Sequence, residues 1–284
     1  MPSYRMCGEA VLAVMDKRTL TRSSWAEYGI PALGTVAAIF GYIFLVLPSL
    51  IVIPMSFGTG SEMVFPPRSY SLELYRQYFQ ESTWMAVTGQ SVKVGLATMA
   101  ASLVFGFSAA YGISRTDFPG KGLLTVFLLS PMFMPHIAVA LAMYLYLSRL
   151  GLVGTTFGLV AAHTLVTVPF VIVTAFAGLR YVDRNLELAA ATMGAGRLRI
   201  VWKVVLPLIV PSIVVASLFA FLLSFDEVVI SYFISSVQSE TLPVKMYSSI
   251  HWEISPVLAA ISSLLTVLSF GACAAMSLLQ RNDQ

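Results

Sequence analysis

Charge is scarce in this sequence. Only 11% of its 284 residues are Asp, Glu, Lys or Arg, against roughly 25% in an average soluble domain. Cysteine is nearly absent. Cys7 stands in a basic N-terminal stretch and Cys273 in the last apolar run, a separation that excludes a disulfide framework. No glycine-rich phosphate loop is present, because the only Gly-Lys pair, Gly120–Lys121, lacks the preceding glycine. HExxH, CxxC and GxSxG are missing too, which removes the usual signs of zinc, redox and serine-hydrolase chemistry. His136, His163 and His251 fall in three separate segments, an arrangement that argues against a metal site.

Long uncharged stretches fill the space that charge vacates. They run Gly29–Ser61, Val94–Ser114, Gly122–Ser148, Leu150–Leu179, Val204–Phe225 and Ile254–Gln280. Each exceeds the roughly 20 residues that a helix needs to cross about 30 Å of hydrocarbon. The runs are continuous rather than alternating, so helices are expected and barrel strands are not. The predicted fold class is all-α, a polytopic membrane protein with six transmembrane helices in a lipid bilayer.

An even number of spans places both termini on one side. With the N-terminus inside, twelve Lys and Arg residues are cytoplasmic: Arg5, Lys17, Arg18, Arg22, Arg115, Lys121, Arg180, Arg184, Arg197, Arg199, Lys203 and Arg281. Arg68, Arg76, Arg149 and Lys245 lie outside, with Lys93 at the boundary. That excess is the positive-inside pattern, so both termini are expected in the cytoplasm. The net charge of +3 is then a topology signal, and no nucleic-acid partner is called for. No signal peptide is expected, since the apolar piece Val11–Met15 is short and Asp16, Lys17 and Arg18 follow it.

The predicted organisation is a cytoplasmic tail over 1–28 and one permeating domain over 29–284, with its longest cytoplasmic connection at 180–205. Outside, Val228–Gln238 is apolar but too short to cross, which suits a re-entrant or interfacial piece buried against the other helices. Leu242, Met246 and Ile250 then recur at helical spacing, as in a short surface helix. The Gly154–Gly158 GxxxG is expected to serve helix packing.

The cytoplasmic connection is not loop-like. Asp183–Met193 is a good helix, with Asp183 in capping position and Glu187 in its early turns. Gly194 and Gly196 break it, and Arg197–Val205 resumes as a basic helix running into Leu206–Pro207. Two short helices with small Ala189, Ala190 and Ala191 on the first make a compact knob that a partner can approach closely.

This segment resembles the signature loop of ABC importer permeases: Glu-Ala-Ala, three residues, Gly, nine residues, Ile, one residue, Leu-Pro. Ala189, Ala190, Gly194, Leu206 and Pro207 fall on it at the right spacing, and Val204 replaces the Ile. The pattern's Glu falls on Leu188, beside Glu187. The string SFDEVVIS at Ser224–Ser231, with Thr241–Leu242–Pro243 and Ile254–Ser255–Pro256, is similar to the second permease of spermidine/putrescine importers. The wider group also carries opines, gamma-aminobutyrate and aminophosphonates. The resemblance implies a MetI-like fold in the bacterial inner membrane. It further implies a second permease subunit in a heterodimer, two ATPase subunits and an extracytoplasmic substrate-binding protein. ATP and magnesium would be held by the ATPases, leaving this chain without a cofactor and without catalysis of its own. Glu187, Leu188, Ala189, Ala190, Gly194, Leu206 and Pro207 become the expected ATPase-coupling residues.

Asp226 and Glu227, next to Phe225 at the outer end of the fifth run, are two carboxylates that either meet a cationic amine or end a helix in solvent. His136 follows Pro131 and Pro135, a pair that disrupts backbone hydrogen bonding and lets carbonyls line a cavity. His136, Ala140 and Tyr144 share one helical face, which either lines a pathway or packs against a neighbouring helix. Similar polyamine permeases tend to have an acidic residue at the place of His136, so the sequence leans towards a zwitterionic amino compound rather than a polyamine. The competing reading is a stand-alone channel or secondary transporter. Such a carrier would usually show broken helices in matching halves, and none stands out in the sequence.

Overall fold

Membrane-length apolar runs and self-satisfied backbones predict helices, and helices make up nearly all of the structure. A computed structural model describes residues 24–59, 64–252 and 255–281, with side chains at 34–59, 64–252 and 255–271. The basic tail up to residue 23, including Cys7, lies outside the described residues. Among these residues no strand occurs; one isolated antiparallel bridge joins Gly58 and Tyr70.

In chain order the helices are α1 (Ser24–Met55), α2 (Glu73–Gln80), α3 (Ser82–Arg115), α4 (Lys121–Leu129), α5 (His136–Arg149) and α6 (Thr156–Leu179). There follow α7 (Arg184–Thr192), α8 (Arg197–Leu208), α9 (Val210–Phe225), α10 (Val229–Ile234), α11 (Leu242–Trp252) and α12 (Val257–Arg281). By length and composition α1, α3 and α6 can cross a membrane unbroken. The pairs α4–α5 and α8–α9 do so only as bent units, at 105° and 84°. Each of the six uncharged runs overlaps one of these elements or the apolar part of α12, and α3 begins twelve residues before its run.

The chain divides into two compact units. In the first, α1 packs against α12. Ser56 Oγ lies 2.6 Å from the Tyr75 hydroxyl, which donates to Ser263 Oγ at 3.2 Å.

The second unit, Arg76–Ser255, is built on α3, α6 and α9 packed on one another. Small residues set their spacing. A Cβ on Gly106 would stand 2.7 Å from Val171, and one on Gly178 would stand 2.5 Å from Ser212 Oγ. Helices in lipid associate by such close approach rather than by hydrophobic expulsion from water.

Three sequence expectations change here. The fifth run is not one helix from Val204. Pro207 and Pro211 remove two amide donors, and the chain bends at Ile209 (φ −106°, ψ 12°), leaving α9 only 16 residues, about 24 Å. Gly154–Gly158 is not a helix-packing face. Gly154 lies in the turn before α6 at φ +82°, donates to Ile234 O at 2.8 Å and accepts from Ser236 Oγ at 3.1 Å. The third and fifth runs are also each a bent pair of helices, where the sequence reading expects unbroken spans.

Candidate functional site

The connection over residues 180–205 folds as two helices with a sharp corner. Asp183 caps α7, its carboxylate accepting the Asn185 amide at 2.9 Å. At the other end Gly194 takes φ +85°. Its amide donates to Ala191 O at 2.9 Å, and the Ala195 amide donates to Ala190 O at 3.0 Å. These two bonds form a Schellman cap with Gly194 in the left-handed position, which explains a glycine four residues after Ala190. The corner sits on a core: Ala190, Ile200, Val205 and Ile209 are buried with Ile172, Ala175 and Leu179 of α6 and with Ala110 of α3.

Glu187 is what ties α7 down. Its carboxylate accepts Arg115 Nε at 2.7 Å and the Tyr111 hydroxyl at 2.9 Å, and Arg115 Nη2 reaches it at 2.6 Å. Both side chains are mostly buried, 13% and 14% exposed. Arg115 Nη2 also donates to Val182 O, and Arg184 Nη2 donates to Ser114 O, each at 3.3 Å. The end of α3 therefore holds the start of α7 by charge-assisted bonds, the stronger kind. Leu188, 62% exposed, points away from that clamp, as do Met193 at 82% and Leu198 at 74%. Ala189 is exposed and Pro207 too, whereas Leu206 is half-buried.

The second cluster forms at the break of the third run. α4 continues as a 3-10 turn over Ser130–Phe133 before Pro135 starts α5. That corner brings His136, 61% exposed, to face Glu227: Nε2 and Oε2 stand 3.8 Å apart. Glu227 is 10% exposed, and its other oxygen accepts the Ile230 amide at 3.0 Å, fastening the first turn of α10. Asp226 beside it is exposed and Phe225 half-buried. Along α5 the face splits: Ala140 is fully buried in the core shared with Ile230 and Ile234 of α10, while Tyr144 is 37% exposed.

A model of the family described as binding-protein-dependent transport system inner membrane component matches residues 102–282, which include both clusters. The chain belongs to this family. The permease is 29% identical over 253 residues to the spermidine/putrescine transport system permease protein PotC of Escherichia coli (strain K12), covering 88% of this chain and 93% of that one. It is 28% identical over 258 residues to the putrescine transport system permease protein PotI of the same strain, covering 88% and 89%. Among solved structures, a bacterial ABC transporter involved in the import of the acidic polysaccharide alginate matches with a TM-score of 0.68, at 16% identity, over 92% of this chain and 98% of that one. At that identity the likeness is one of fold. This permease is thus an inner membrane component of an ABC importer, with the all-α fold of that class.

The permease also contains a polar hub that reading the sequence missed. His163 is fully buried in α6 and uses both ring nitrogens: Nδ1 lies 2.8 Å from Ser224 Oγ at the end of α9, and Nε2 lies 2.9 Å from Ser231 Oγ in α10. One turn on, Thr167 Oγ1 donates to His163 O and lies 2.6 Å from Ser102 Oγ of α3. A single imidazole therefore joins three helices around the segment that carries Asp226 and Glu227. The sequence signal was the pair of serines flanking those carboxylates.

Proposed function

We propose that this permease forms, with a second permease subunit, the pathway of an importer for a polyamine-type cation, delivered by an extracytoplasmic binding protein. Two partner ATPases hydrolyse the ATP. The observation that carries the reading is α7, pinned to α3 through Glu187 and Arg115 and closed by Gly194, with Leu188 and Met193 left uncovered. A helix built so rigidly and presented so openly is a lever for a docked partner. ATPase closure pulls α7, and the ion pair passes the pull to α3, opening the pathway outward.

The geometry favours a polyamine over the zwitterion suggested by His136 alone. His136 itself has a carboxylate within 3.8 Å, because Glu227 faces it from another part of the chain. An ammonium leaving water needs such a partner, and Asp226 adds a second. The relatives named for spermidine and putrescine agree with this substrate class. His136, Phe225, Asp226 and Glu227 are assigned to the pathway, with Tyr144 further along α5. Both termini are assigned to the cytoplasm.

Uptake by the reconstituted complex with its own binding protein tests the reading. ATP-dependent accumulation of labelled spermidine or putrescine, in preference to gamma-aminobutyrate and an aminophosphonate, is expected. Preference for either zwitterion would overturn the substrate, and accumulation without ATP would favour a secondary transporter.

A further inference from the structure

Helix α8 carries an exposed surface of its own next to that of α7. It meets α9 at 84°, so where α9 crosses the bilayer, α8 runs near the plane of the membrane–water boundary. That premise rests on the proposed function. The inner face of α8 is apolar, with Ile200 and Val205 in the core. The outer face bears two stripes at i, i+4 spacing: Leu198 and Trp202, 74% and 64% exposed, and Arg199 and Lys203, also exposed.

Arg197, Arg199 and Lys203 form no ion pair among the described residues, whereas Arg115 and Lys121 each have a carboxylate. With Gly194, Gly196, Leu198 and Trp202 they line an open cleft of about 580 Å³ to which no acidic residue contributes. Past it the exposed side chains are uncharged, Leu208 at the end of α8 and Val210 and Val214 on α9, as in a segment entering hydrocarbon. Interfacial helices combine the features of this outer face: basic residues beside apolar ones, with an indole at headgroup depth.

We propose that Arg197, Arg199, Trp202 and Lys203 bind the headgroup of an anionic phospholipid in the cytoplasmic leaflet. The cations meet the phosphate region, and Trp202 lies at the boundary with the acyl chains. The lipid holds α8 in the interface while α7, across the Gly194 corner, remains free to engage a partner. An acidic patch on an ATPase has the same charge, but it would not account for the apolar continuation from α8 into α9.

Trp202 fluorescence tests this in the full permease complex, held in nanodiscs and read as the difference from Trp202→Phe. Brominated phosphatidylglycerol should quench the Trp202 emission at a several-fold lower lipid fraction than brominated phosphatidylcholine. Arg199→Gln and Lys203→Gln should each weaken that preference about fivefold, and inorganic phosphate should not compete. Equal quenching by the two lipids would overturn headgroup recognition. Quenching that develops only after the ATPases are stripped off would assign the surface to them. The wild-type lipid comparison stands even where a variant fails to assemble. Because no transport is measured, failure here leaves the importer reading untouched, and failed uptake leaves the quenching result standing.

Discussion

The Glu187 carboxylate and the Arg115 guanidinium meet at 2.6 Å, across 72 residues of chain, where α7 leaves the end of α3. The carboxylate next to the signature alanines is therefore committed within its own subunit, and Leu188 holds the outward position. Arg115→Leu should leave a mostly buried carboxylate without its charge partner and cost about 1–3 kcal/mol. Thermal unfolding of the purified complex reads that loss. A double-mutant cycle with Glu187→Gln should show strong non-additivity, and additive losses would dissolve the clamp.

His163 joins α6, α9 and the short α10 through two serines. His163→Leu keeps the volume but strands both hydroxyls in the interior, an expected loss of about 1–3 kcal/mol for each buried group left unpaired. The change should also free α10, raising the reactivity of a cysteine placed at Ser231, now fully buried. Unchanged reactivity would make the hub a packing detail.

Much of this architecture is legible in the sequence, for a physical reason. Hydrocarbon demands long uncharged helices, so the runs mark them, and Asp183, Gly194 and the Leu-Pro step mark the ends of α7 and α8. The short helices Val229–Ile234 and Leu242–Trp252 follow from short apolar length and helical spacing. What escaped depended on distant pairing. Nothing local to Glu187 says that Arg115 will reach it, and His163 finds its serines 61 and 68 residues away. The bend at Ile209 had a signal in Pro207 and Pro211, masked by the unbroken hydrophobicity around them.

Topology is tested by cysteine accessibility in a background without Cys7 and Cys273. Val237 and Met193, 95% and 82% exposed, are open to a labelling reagent. Val237→Cys should react with an impermeant maleimide from outside and Met193→Cys only after the membrane is opened. Outside labelling at 193 would invert the assignment.

Glu227 has two tasks, facing His136 and capping α10, whereas His136 has only the first among the described residues. His136→Ala should change the concentration dependence of polyamine uptake with little effect on stability. Glu227→Gln keeps an acceptor for the Ile230 amide and should reduce polyamine uptake at least tenfold through the lost charge. Equal uptake by all three forms would remove the pair from the pathway.

The central claim is that the Gly194 corner couples a partner's ATP hydrolysis to transport. A Cβ at Gly194 meets nothing within 4 Å, so within this chain substitution acts through φ alone, and Asn and Val present a docked partner with similar bulk. Asn tolerates the left-handed region and Val does not. The decisive measurement is ATP hydrolysis by the assembled complex with and without loaded binding protein. Wild type and Gly194→Asn should be stimulated, while Gly194→Val, inserted in normal amount, should lose stimulation and uptake together. Full stimulation and uptake in Gly194→Val would contradict the account.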